Sequence, residues 1–396
     1  PYSSEYEGYM GNWGNTLDRW YHRAAVVVWP RDQAFANRAE TSPAWALEKL
    51  AAMASAGDVP GAQAAAATLA PFWDKALRAR TAELLGTALR AADAVANAGT
   101  AAMLLHPFRI ENLTGADVDS FGKIADGYGQ QWTADLLRTW FGGDQPAWLH
   151  GGGADRAQWV ADSLPGLCEE LHVRNAAAAQ RLLDLAWEWA RKDIGTGLAS
   201  PSPSHRETKL GDLGRPLASV LRAAAATGAA STWDAVCGYI RKQQDAVTAL
   251  EMSALRAAAE TSRDGMRGDA GLGELAADCA ARLRARLARP QRAPGDWSIE
   301  LPAGGCTCEL CDTLRVFLDH QSRRTFEWPI AQQRRQHIHS RIDAAELPVT
   351  HVTRRQGSPY TLVLNKTDAL FAREQEARTR DETDLEWLAA QWNPGT

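Results

Sequence analysis

The chain has 396 residues, 45% of them hydrophobic, which excludes wholesale disorder and leaves room for two or three domains or one elongated array. A formal net charge of -5 with 23% charged residues argues for neither a polyanion-binding nor a strongly acidic protein. No stretch approaches 18 uninterrupted apolar residues, and the polar start from Pro1 to Glu5 lacks the regions of a signal peptide, so no membrane association and a cytoplasmic location are expected.

Residues 1–35 read as a junction segment. Within it, the apolar run from Ala24 to Trp29, ended by Pro30, predicts a short buried strand, although a helical turn fits its periodicity as well. From 36 to 200 apolar residues recur at helical spacing, as in Trp45, Leu47, Leu50 and Met53, then Leu84, Leu85, Leu89 and Val95, then Leu182, Leu183, Leu185, Trp187 and Trp189. Breaks at Gly57 to Pro60, Gly151 to Gly153 and Gly195 to Gly197 predict helices of about 12 to 25 residues with short connectors. Alternating serine and proline from Ser200 to Ser204 predict a linker, because proline removes donors and serine offers no core. A second helical region, 206–290, ends where the Arg/Leu alternation of 282–287 gives way to Pro290 and Pro294.

Past Pro294 the pattern turns mixed, and 295–396 reads as a small α+β module. Trp297, Ile299 and Leu301 alternate as a strand does; Leu314, Phe317 and Leu318 mark a helix, and another begins after Pro329. Val349 to Arg354 and Tyr360 to Leu364 flank a turn at Gln356 to Pro359 and predict a β-hairpin. A charged helix from Asp381 to Gln391 carries Leu385, Trp387, Leu388 and Trp392 on one side. The expected fold is therefore mainly α: a helical bundle or an irregular α-solenoid without a fixed-period repeat, followed by an α+β module containing a β-hairpin.

Of six cysteines, Cys168, Cys237 and Cys279 are isolated among apolar residues and read as buried reduced thiols. The other three, Cys306, Cys308 and Cys311, fall within six residues and have metal-ligand spacing. Tetrahedral zinc takes four Cys or His ligands, so a histidine is needed. On the helix after Pro329, at 100° per residue, His337 falls on the side of Ile330 and Ile338 while His339 points about 160° away, so His337 is the better fourth ligand. His320 is its competitor. Such a closed set predicts a structural zinc ion; three reduced thiols without metal and a redox thiol role are the other readings.

Elsewhere the chemistry is thin. His205, Arg206 and Glu207 match the local His-x-Glu spacing of an iron facial triad but sit beside the Ser/Pro linker, not on a barrel strand. Phosphate-loop, nucleophile-elbow and zincin motifs do not occur, and Gly151 to Gly153 after His150 reads as a connector. Between Arg282 and Arg355 stand 13 arginines and 8 acidic residues, an excess that could steer nucleic acid but that more simply describes a solvated mixed-charge surface.

Two segments, Tyr6 to Arg31 and the block from Cys306 through Arg334, Arg335, His337 and His339 to Pro359, Tyr360 and Val363, resemble parts of large bacterial and fungal proteins classed as 2-oxoglutarate/Fe(II)-dependent dioxygenases. Together they cover about a fifth of the chain. In that family the iron ligands and the 2-oxoglutarate-binding arginine lie upstream of the first segment. The resemblance thus implies a C-terminal helical portion without its catalytic domain, with no iron ligand carried over. It implies Tyr6 to Arg31 as the junction with an oxygenase domain, in cis or in trans, and the Cys/His module as a terminal cap. The leading expectation is a non-catalytic helical scaffold that presents a substrate or protein-partner surface. The alternatives are a zinc-stabilised nucleic-acid-binding module using the C-terminal arginines, and an enzyme in its own right with a pocket between helices near His150, His172 or the Trp-rich helices.

Overall fold

Alanine and leucine at helical spacing give short helices that bury one stripe each, and short helices are stable only when neighbours cover that stripe. The computed structural model describes residues 34–77, 81–142, 153–261, 272–301 and 306–392. Helices Pro43–Ser55, Thr81–Ala94, Val118–Tyr128, Leu164–Arg174, Gly214–Ala226, Thr248–Thr261 and Leu272–Leu287 pack each on the next as one row. Val59–Ala67, Ala98–Leu105, Gln130–Trp140, Ala176–Leu198 and Ala230–Gln243 form a second row in the same manner. The helical region is thus mainly α and stacked, with unevenly spaced helices and a single core running from Ala39 to Leu283.

Tryptophan serves this stack as a filler with a polar handle. Trp73 and Trp140 donate from Nε1 to the Leu104 and Leu105 carbonyls (2.9 and 2.8 Å), and Trp159 donates to Leu113 (3.0 Å). Each indole fills the gap between helices while satisfying a carbonyl at or beyond a helix end. No described tryptophan is fully exposed.

The predicted breaks resolve differently. At Gly57 the chain turns with φ 90, a left-handed conformation that glycine takes without strain, and Asp58 then caps the next helix by accepting from the Gly61 N–H. Gly195 and Gly197 instead lie inside Ala176–Leu198. A Cβ at Gly197 would stand 3.2 Å from Lys209 and 3.3 Å from Leu210, so this glycine permits a close helix crossing and does not end the helix. Ser200 to Ser204 is a tight connection with buried core on both sides, where Ser202 caps Pro203–Asp212 by accepting from the His205 N–H. The break at Gly151 to Gly153 lies outside the described residues except for Gly153, which opens Gly153–Asp162. The strand expected at Ala24 to Trp29, like the rest of the junction up to residue 33, lies outside them too.

The C-terminal α+β module has a three-stranded antiparallel sheet: β1 (Thr325–Pro329), β2 (Val349–Arg354) and β3 (Thr361–Lys366), in the order β1-β3-β2. The predicted hairpin is β2 and β3, paired from Val349 with Lys366 to Arg354 with Thr361. β1 is an addition. Trp297 to Leu301, predicted as a strand, stays outside the sheet: Trp297 and Ile299 donate to the Gln321 and Leu318 carbonyls at the end of a helix. That helix, Glu309–Asp319, and Gln332–Ala344 cover one sheet face over a second core of Leu314, Phe317, Ile338, Ile342, Leu362 and Leu364.

The charged helix is longer than predicted, Ala369–Trp392, and it serves both cores. Leu370 enters the module core, whereas Leu388 enters the core of the stack with Leu385, Trp387 and Trp392 packed around it. Between these ends the buried Asp381 and Asp384 pair with Arg286 and Arg256 of the stack. Glu346 of the module also reaches the Ser/Pro turn, accepting from the hydroxyls of Ser202 and Ser204.

Candidate metal centre

Sequence order builds this site from the start of one helix and the middle of another. Cys308 is the residue before helix Glu309–Asp319 and keeps an extended backbone (φ -75, ψ 161), while its carbonyl already accepts from Asp312. Cys311 falls in the first turn, three residues on and on the same face. Cys306 lies in the exposed approach to that helix, and His337 comes from the facing helix Gln332–Ala344. Leu314, Phe317 and Ile338 behind these residues hold the two helices together.

One ligand atom from each of Cys306, Cys308, Cys311 and His337 lies within 4.8 Å of all the others. Around a tetrahedral zinc ion, with sulfur at about 2.3 Å and nitrogen at about 2.05 Å, sulfur and nitrogen stand about 3.6 Å apart. His337 Nε2 lies 3.4 Å from the Cys308 sulfur and 3.2 Å from the Cys311 sulfur, so the set can hold a metal ion with a small adjustment. The sulfurs are electrostatically unequal. The Cys311 N–H donating to Cys308, at a helix N-terminus, pulls that thiol down to about 6, whereas burial and the adjacent sulfurs push Cys311 up to about 11. A thiolate beside a proton-holding thiol is what a cation would convert into thiolates throughout.

His320 is not part of the cluster. It is exposed at the end of Glu309–Asp319, and its Nδ1 accepts from the Arg323 N–H at 3.2 Å. His339 faces the sheet on the side of the helix away from the cysteines, and its Nδ1 meets His351 Nδ1 at 2.5 Å. His351 donates through Nε2 to Asp343 at 3.0 Å. Sequence reasoning missed this pair, although the alternation of β2 points His351 and Thr353 toward the helix.

Lys366 was also missed. It is fully buried, donates to the Leu318 and His320 carbonyls at 2.7 and 2.8 Å, and so caps the helix whose other end carries the cysteines. Burial lowers its amine to about 8.

The weaker sites separate. His205 is exposed, and Glu207 pairs with Arg380. His172 is exposed, and His150 lies outside the described residues. A groove of about 690 Å³ runs between Leu272–Leu287 and Ala369–Trp392, but Arg286, Arg289 and Arg292 along it are neutralised by Asp381, Asp245 and Glu374. Arg282, Arg315, Arg324 and Arg354 pair with carboxylates too, which removes most of the apparent basic excess.

No protein-family model matches this sequence, and no curated protein or solved structure matches it. Among the described residues, no helix is long and apolar enough to cross a membrane.

Proposed function

We propose that this chain is the non-catalytic helical region of a 2-oxoglutarate/Fe(II) oxygenase-like protein of the cytoplasm, where the stack presents a surface to a substrate or partner and one structural zinc ion fixes the C-terminal module. The observation that carries the zinc reading is the closed Cys306, Cys308, Cys311 and His337 set, converging from two helices. Thiolate-rich tetrahedral sites select zinc among divalent ions, and four protein ligands leave no open position for a substrate. The scaffold reading draws support from the long row of stacked helices around one continuous core. Its link to the oxygenase family rests on the two sequence segments alone.

Elemental analysis of the purified chain tests the zinc reading. One equivalent of zinc, lost when Cys308→Ser and Cys311→Ser are combined, is expected; iron in its place, or a metal-free chain, overturns it. Incubation of the chain with Fe(II) and 2-oxoglutarate is expected to yield no succinate, and turnover would defeat the scaffold reading.

A further inference from the structure

The three sulfurs of the centre differ in how far solvent reaches them. Cys306 is exposed, Cys308 is half-buried at the helix start, and Cys311 is fully buried. A small oxidant arriving from solvent therefore meets Cys306 first, with the Cys308 sulfur only two residues along the chain and within 4.8 Å. Resting on the zinc reading above, we propose that Cys306 is a peroxide-modification site, and that its oxidation releases the metal.

The chemistry balances with hydrogen peroxide as the only co-reactant. The Cys306 thiolate attacks one peroxide oxygen, the O–O bond breaks, and Cys306 becomes a sulfenic acid as hydroxide leaves. The Cys308 thiolate attacks that sulfur, the S–O bond breaks, and a second hydroxide leaves as the Cys306–Cys308 disulfide forms. Two electrons pass from two sulfurs to peroxide, and both hydroxides take protons from solvent to become water. Only Cys311 and His337 then remain as ligands, too few to retain the ion.

The remaining thiols are insulated from this reaction. Cys168, Cys237 and Cys279 are buried, and burial pushes them up to about 12, 11 and 12, so almost none is thiolate at neutral pH.

The test uses the full chain, with its zinc content measured first; a chain that takes up no zinc overturns the zinc reading and not the oxidation step. Treatment of the zinc-loaded chain with hydrogen peroxide, beside a zinc-sensitive dye, is expected to release one equivalent. Peptide mapping should find a loss of two hydrogens linking Cys306 to Cys308, reversible by dithiothreitol. Cys306→His keeps four ligand positions and is expected to slow release by about tenfold or more; Cys306→Asp serves if the histidine does not fit. Zinc retained under peroxide, release at an unchanged rate in these variants, or a disulfide joining Cys306 to Cys311 in the unmutated chain would each overturn the proposal.

Discussion

In the helical stack Cys168, Cys237 and Cys279 are buried one by one, whereas in the C-terminal module Cys306, Cys308 and Cys311 gather around His337, from an exposed Cys306 to a buried Cys311. The contrast follows from how much each region can bury. The stack shares one core along its whole length, so each short helix is covered on both sides. The module core has only eleven buried apolar side chains, few for the span 295–396. A cation held by Cys306, Cys308, Cys311 and His337 would join two helices and supply what that small core lacks, its binding then counting as folding free energy.

The sharpest way to break this comparison is to remove the metal. Combining Cys308→Ser with Cys311→Ser should unfold the module and leave the stack folded, a loss drawn from the ~10–16 kcal/mol typical of structural zinc. Hydrogen exchange would reveal it as protection lost from Glu309–Ala344 and kept across Thr81–Thr261; protection lost everywhere would mean that the two regions fold as one. The converse is a cavity in the stack. Leu217→Ala, at a fully buried position, should cost about 2–5 kcal/mol in denaturant unfolding while zinc content stays at its wild-type level.

A smaller effect sharpens the boundary between the regions. Asp381→Ala leaves Arg286 without its carboxylate in a place only a quarter open to solvent, and about 1–3 kcal/mol of stability should go, after discounting for that exposure. Two separated thermal transitions in this variant would identify the long helix as the coupling between regions, and a single sharp transition would count against that role. Acid offers a graded version. Cys308 is depressed from an ordinary 9.0 to about 6, so its contribution is complete above pH 9, declines as pH falls, and is gone below about 6. Bound metal competes with protons and moves that window lower, so zinc release on titration from pH 7 to 4 should precede any loss of helix in the stack. Least of all, Glu346→Gln should cost under about 1 kcal/mol, because its contacts to Ser202 and Ser204 are largely solvent-facing.

Much of this was legible in the residues. Three thiols beside a helix start and a phase argument selecting His337 over His339 required only local geometry, whereas setting His320 aside required the structure, and the stacked helices followed from apolar spacing. The misses share a cause. β1 is a five-residue edge strand with Glu327 in its middle, and nothing local distinguishes it until β3 arrives to pair with it. Trp297 to Leu301 has the alternation of a strand, but its donors are taken by carbonyls at a helix end, a partner that periodicity does not register. Lys366 reads as the polar end of a strand, and its burial depends on the Leu318 and His320 carbonyls far back along the chain. After an apolar first turn, residues 373–380 of Ala369–Trp392 are polar nearly all round, leaving no apolar stripe to carry the helix back from its predicted start.

That long helix also sets an order of assembly during synthesis. The flank of Leu272–Leu287 that it covers is made first, then the whole module, and only afterwards the residues around Leu388 that complete the stack. With chain growth at about 5–20 residues per second, an apolar seam of the stack waits several seconds beside the ribosome while the cysteine cluster emerges. The nascent chain thus passes through a stage in which the folded module hangs from an unfinished stack, and chaperone capture at that seam is the expected signature in ribosome profiling.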